Sequence, residues 1–396
     1  MDLPKPASNV GAGSILRLIR DGEAVTRGDL ARTTGLGRSS VAQRLEALIS
    51  HRLVIEGTYG ESTGGRPPGV LRFNQEAGVV LAGDLGARHA RLAVTNLAGA
   101  SITECETPID IADGPEAVLS LVHEHFQTLL REAGRTRADI RGIAIGVPGP
   151  VQFSTGQPVS PPIMPGWDGF SIPSWFAKRY DVPALVDNDV NIMALGEHHA
   201  GGRAFDHLLF VKVATGIGCG IISEGRVHRG AQGAAGDIGH VRVTGHDDIV
   251  CDCGNVGCLE AVASGRAMAR RLAAEGREAN NSHDVVRLVR AGDPLAILLV
   301  REAGQMIGEV LATCVNIFNP SAIVIGGEIS EVRELLLARV REVTFQRSLP
   351  LATRDLRTMT SQLGERAGVL GAAMLVIEHV LAPEMVDRAI SSSVAA

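Results

Sequence analysis

Ile15, Leu16, Leu18 and Ile19 recur at helical spacing between Gly13 and Gly22, which predicts a short amphipathic helix. Thr26 follows, with Asp29 three residues on, a capping-box pair opening a second helix whose apolar side is Leu30 and Ala31. Gly35-Leu36-Gly37 reads as a tight turn. Ser39 to Ser50 reads as a third helix, with Val41, Leu45, Leu48 and Ile49 along one face. Leu53-Val54-Ile55 and Val70-Leu71-Arg72-Phe73 then flank a Gly-rich loop, Gly64-Gly65-Arg66-Pro67-Pro68, as two strands flank a wing.

After Asn74 the pattern changes to buried-strand runs. Val79 to Asp84, His89 to Asn96, Ser101 to Pro108 and Gly142 to Val147 predict strands, with a helix over Pro115 to Gly134. A related layout returns later: His207 to Ala214 as a strand, Gly216-Ile217-Gly218 as a glycine turn, and Gly220 to Ser223 with Val227-His228 as a hairpin. Two hairpin-plus-helix halves suggest a duplicated α/β fold with a cleft between its lobes.

Composition sharpens this picture. A chain of 396 residues suits two or three domains, and 45% hydrophobic content allows real cores. Aromatics at 3% argue against a stacking platform for RNA or single strands. The net charge of -6 is uneven: residues 1–75 hold 10 Lys/Arg against 7 Asp/Glu, and the remainder holds 28 against 37. A basic module on an acidic body suits a DNA-binding regulator. The third helix and its approach carry Arg38, Ser39, Ser40, Gln43 and Arg44, donors able to reach phosphates and base edges. Arg66, between glycine and proline, is slim enough for a narrow minor groove. The plainer reading of the same residues is a three-helix packing module with a flexible linker.

No run approaches the ~18 apolar residues of a membrane span. The polar N-terminus lacks a signal-peptide apolar region, so a cytoplasmic protein is expected, with no membrane partner. Three of six cysteines crowd together, and with His240 they read His-x10-Cys-x-Cys-x4-Cys through Cys251, Cys253 and Cys258. Four such ligands suit structural Zn²⁺, which takes a closed tetrahedron and so staples a loop rather than activating water. Three free cysteines are the simpler alternative. Asn188 and Asp189 follow the apolar stretch Pro183 to Val186, at a strand end where α/β clefts bind ligands. A carboxylate there can take a proton from a bound hydroxyl. Asn-Asp also commonly makes a turn.

These stretches, with Gly146-Val147-Pro148-Gly149-Pro150, Val186 to Asn191, Ala214 to Gly220, Gly236-Asp237-Ile238-Gly239-His240 and Cys251 to Glu260, resemble the ROK family of repressors and sugar kinases over residues 79–373. The helix-turn-helix with its Gly-Gly-Arg-Pro wing resembles the repressor branch. The resemblance implies an α/β chain: a winged helix-turn-helix domain at 1–75, then a two-lobed, actin-like (duplicated ribonuclease H-like) body. Lobe I would span 76–188, completed by a C-terminal helix at about 374–390, and lobe II, with the zinc loop, 189–373. It makes Asn188, Asp189, Asp237, His240 and Glu260 sugar ligands, Asp237 standing where the family usually has Glu. Asp189 matches the kinase base, catalytic only if kinase activity is retained.

The kinase pattern is degraded here. Asp84-Leu85-Gly86-Ala87-Arg88 lacks the threonine and second glycine of the family's first phosphate loop, while Thr215, Gly216 and Gly218 of the second remain. Gly326-Gly327 resembles the adenosine-side turn, and Pro161-Pro162-Ile163 departs from the usual Pro-Asn-Leu. The expectation is a homodimeric or homotetrameric repressor that binds an inverted-repeat DNA operator and is released by a sugar or sugar derivative. The alternative is an ATP-dependent, glucokinase-like enzyme carrying a DNA-binding domain.

Overall fold

The spacing of Thr26 and Asp29 makes a true capping box. In the computed structural model, which describes residues 10–57 and 69–394, the Asp29 amide donates to the Thr26 hydroxyl and the Thr26 amide to the Asp29 carboxylate. This box opens α2 (Arg27–Thr34), which follows α1 (Ala12–Arg20) and stops at Gly35, in left-handed backbone at φ +71°. α3 (Arg38–Ser50) buries Val41, Leu45 and Leu48 in one core with Ile15, Leu16 and Leu30. β1 (Val54–Gly57) and β2 (Val70–Phe73) pair antiparallel as the wing, Val54 opposite Phe73. The wing tip, with Arg66, lies outside the described residues.

In the body, β3 (Val79–Leu85), β4 (His89–Asn96) and β5 (Ser101–Pro108) form an antiparallel meander. α4 (Pro115–Glu132) leads to β6 (Ile140–Val147), which joins β3 in parallel. The small hairpin of β7 (Val151–Gln152) and β8 (Gln157–Pro158), and then α5 (Ile172–Ala177), precede β9 (Ala184–Asn188), parallel to β6. The strand order is β5-β4-β3-β6-β9.

After α6 (Asp189–Ala200), β10 (Leu208–Val213), β11 (Ile217–Ser223) and β12 (Arg226–Val227) make a second meander. Four helices follow, α7 (Leu259–Ala263), α8 (Gly265–Ala274), α9 (Ser282–Arg290) and α10 (Pro294–Phe318). β13 (Ala322–Gly326) then joins β10 in parallel. Past α11 (Arg333–Arg347) and α12 (Pro350–Thr353), β14 (Arg357–Thr360) joins β13. The order, β12-β11-β10-β13-β14, repeats that of the first sheet. The duplication is therefore plain in the topology, an α/β pair of lobes behind a helix-turn-helix head.

Two expectations change. β11 already includes Ile217 and Gly218, so the turn between the strands is Ala214–Gly216 and Gly218 stands in the ladder opposite Lys212. Glycine is needed there because a Cβ would press Val190 of α6 at 2.9 Å. The stretch expected as one helix over about 374–390 is two. α13 (Ala367–Val380) packs on β3, β6 and α6, and after a 59° bend α14 (Pro383–Val394) packs on α1 of the head. Pro383 has no amide hydrogen to continue the first helix. Among the described residues, no single helix is long and apolar enough to cross a membrane.

α6 and α13 touch backbone to backbone. A Cβ on Gly371 would strike the carbonyl oxygen of Ile192, and one on Gly196 that of Ala367. Their cluster of buried residues runs on through Leu381 and Val386 into the head's own core.

Candidate functional sites

The head presents Arg38, Ser39 and Gln43 to solvent on α3, with Ser40 and Arg44 half-buried. The guanidinium of Arg44 bonds back to the Ser40 carbonyl at 3.1 Å, which holds it along the helix. Gly37 caps α3 without a side chain, leaving the helix start able to receive an anion such as phosphate.

In the body, the candidate site is built where β9 ends and α6 begins. The Asn188 side chain accepts the Val190 amide at 2.9 Å and donates to the Gly149 carbonyl at 3.0 Å, so it ties the Pro148–Pro150 loop to the helix start. Asp189, the first residue of α6, is 5% exposed. One of its carboxylate oxygens accepts its neighbour's amide at 2.9 Å, and the other accepts the Lys212 ammonium at 2.7 Å. Glu260 accepts the Ile217 amide at 3.0 Å, which consumes a donor at the start of β11. A Cβ on Gly216 would strike the Glu260 carboxylate, so Gly216 is needed for this approach.

Asp187, buried beside these residues, accepts both the Asn191 amide group at 2.9 Å and the Arg229 guanidinium at 2.6 Å. Arg229, from the second sheet's side, lies over the Phe153 ring at 3.7 Å. Sequence reasoning passed over Lys212, Asp187 and Arg229. Lys212 had a visible signal, a lone charge inside the apolar strand Leu208–Val213.

At the turn after β3, Gly86 is backed by the His89 ring, and Arg88 is exposed and paired with Asp110 at 2.5 Å. Asp84 lies at the end of β3, against Gly368 of α13. Burial pushes its carboxyl up from 3.8 to about 7, an effect that Asp189 reinforces and Lys212 opposes.

His240, Cys251, Cys253 and Cys258 converge, with one donor atom of each within 4.8 Å of all the others. His240 turns Nδ1 to the Cys251 sulfur at 3.7 Å and Nε2 to Asp237 at 3.9 Å. These four donors are placed to hold a metal ion while the other ring nitrogen points away from it. Gly239 lies against the Cβ of Glu260, which brings the metal loop beside that carboxylate's residue.

The sequence model of the ROK family matches residues 80–379. The chain belongs to the ROK family. It is 34% identical to a putative xylose repressor of Caldicellulosiruptor sp. (strain Rt8B.4), over 93% of this chain and 95% of that one. A ROK family transcriptional regulator, a homolog of the E. coli MLC protein, has a similar structure, with a TM-score of 0.81 and 27% identity over 96% of this chain and 98% of that one. A ROK glucokinase from Streptomyces griseus, solved with glucose and AMPPNP, matches at a TM-score of 0.64 and 28% identity, over 99% of its own length but 75% of this chain. The head of this ROK protein thus accompanies a body that its family also uses in kinases.

Proposed function

We propose that this ROK protein is a sugar-responsive DNA-binding transcription regulator, a repressor released from its operator by a sugar or sugar derivative. Coverage carries the reading. The repressor and regulator relatives align with head and body together, whereas the glucokinase leaves a quarter of this chain unmatched. Residues 1–75 act as the DNA-binding domain, and 76–188 and 189–366 as the two lobes, with α13 completing the first. Arg38, Ser39, Ser40, Gln43, Arg44 and Arg66 meet the operator. Such a regulator works in the cytoplasm. A two-fold homodimer, alone or paired as a tetramer, reads an inverted repeat with half-sites ~34 Å apart.

Asn188, Asp189, Asp237, His240 and Glu260 receive the sugar hydroxyls. The donor set beside them suits structural Zn²⁺. Zn–S bonds of ~2.3 Å in a tetrahedron separate neighbouring ligand atoms by ~3.8 Å. The Cys253–Cys258 and Cys251–His240 separations are both 3.7 Å. Zinc supplies a fixed crosslink here, and His240 keeps Nε2 for the cleft.

The retained Asp189 favours a second reading, an ATP-dependent sugar kinase carrying a DNA-binding domain. Ala87, Arg88 and the Glu260 bond to the Ile217 amide weigh against it. Operator release titrated with monosaccharides, beside an assay of sugar-dependent ADP formation, separates the two. Release without ADP supports the regulator, and ADP formation without release supports the kinase.

A further inference from the structure

We propose that Lys212 is a built-in cation: its ammonium holds the place beside Asp189 and Asp84 to which a divalent ion would otherwise be drawn, so the body takes its sugar without a metal–nucleotide partner. This rests on the reading of the body as a sugar receptor.

Lys212 is the one charged residue of β10, and its side chain is 22% exposed. Its cross-strand neighbours are glycines on both sides, Gly218 of β11 and Gly326 of β13. Opposite residues of a sheet point to the same face, so these glycines leave the lysine stem room to run toward the start of α6. There it meets Asp189, whose side chain is 7% exposed.

Two further acidic groups act on the ammonium, Asp84 from β3 and Glu328 after β13. The Asp84 carboxylate lies over Gly146 of β6 and against Gly368 in the first turn of α13. Arg91 of β4 is the other cation that Asp84 feels. Burial opposes a charge on Lys212, but Asp189 and Asp84 outweigh it and hold the ammonium above the usual lysine range.

Carboxylates grouped beside a phosphate loop are the ordinary means of holding Mg²⁺, which keeps phosphate oxygens as its remaining ligands. A tethered ammonium at hydrogen-bond distance from Asp189 competes with that ion in two ways. It occupies the carboxylate oxygen, and it repels a second positive charge at short range.

The test is Mn²⁺ binding, followed by paramagnetic resonance, on the intact, zinc-loaded protein. Wild type is compared with Lys212→Gln, with Lys212→Thr (which leaves space for water beside Asp189) and with Lys212→Gln combined with Asp189→Asn. Each single variant is expected to gain a site at least about tenfold tighter than any in wild type, and the double variant to lose that gain. Wild type binding Mn²⁺ as tightly as the single variants, or a gain that survives Asp189→Asn, overturns the proposal. If neither single variant folds, wild type decides through calorimetry of D-glucose and D-xylose with and without Mn²⁺·AMPPNP. Unchanged sugar binding supports the built-in cation, and binding that requires the metal–nucleotide overturns it. Operator release is scored separately, so a failed sugar response counts against the functional reading and not against the role of Lys212.

Discussion

The carboxylate of Asp387, in the last helix, accepts the amide of Gly13 in the first at 2.9 Å, across 374 residues of chain. α1 starts after Gly11, which has no side chain to cap it, so α14 supplies the cap and places a negative charge at the positive end of α1. The apolar cluster runs the same way, from Ile192 and Leu195 of α6 through Val376 and Leu381 to Val386 and then Ile15 and Leu16 of α1. Asp189 begins α6, so a sugar that shifts the start of that helix acts on a packed column ending at the DNA-binding head. For induction, the sugar must prefer the arrangement in which the two heads are wrongly spaced.

Removing the cap should loosen the head. Asp387→Ala is expected to cost ~1 kcal/mol of stability, the usual worth of a helix cap, and to weaken operator binding. Gly13→Ala should act in the same direction, because its methyl would strike the Pro383 backbone. Denaturant melting and operator titration at fixed salt check both. Wild-type operator affinity in both variants would show that α14 is a passive neighbour.

The metal loop makes a separate claim. Purified protein should hold about one Zn²⁺ per chain, and Cys253→Ser should lose the ion and melt at lower temperature. Elemental analysis with thermal melting decides it. A zinc-free wild type with reduced cysteines and the same melting temperature would contradict it.

Asp84 gives a signed pH dependence. Its folded value of about 7 exceeds its ordinary 3.8, so between these values the folded state binds more protons than the unfolded one. This group's contribution to stability is therefore present at low pH and falls as pH rises through the window. Asp84→Asn removes this proton uptake, so its stability relative to wild type should increase from about pH 4 to about pH 7. A stability difference independent of pH would show that Asp84 ionises freely.

On DNA, Arg44→Ala should cost ~1–3 kcal/mol of specific binding if the side chain leaves Ser40 to grip a base edge. Arg66→Ala should instead reduce preference for A·T-rich flanks. Anisotropy titrations against operators with varied flanks distinguish the two, and undiminished binding by both variants would remove the winged-helix role.

Much of this was legible in the sequence, for identifiable reasons. The Thr26–Asp29 cap, the wing strands and the meander strands show because turn residues and alternation punctuate them. The cysteine spacing places the metal donors unaided. α6 and α13 are hard to see because they are buried on nearly every side, which erases the helical period. Pro383 itself marks the break between α13 and α14, but the contact between α14 and α1 joins residues 374 positions apart, beyond the reach of any local pattern. Lys212 and Arg229 matter only through partners on other elements, Asp189 and Asp187, which no local pattern reveals.

Release of the head from DNA is expected to follow sugar binding at Asp189 and Glu260. Its most direct measurement is operator release titrated against the inducing sugar in wild type, Asp189→Ala and Glu260→Ala. Coupling of ~1–3 kcal/mol is typical, a 5–150-fold loss of operator affinity on saturation in wild type. Both variants should bind operator as wild type does without sugar, yet need far more sugar for release or fail to respond. Unchanged release midpoints in both variants would contradict the account.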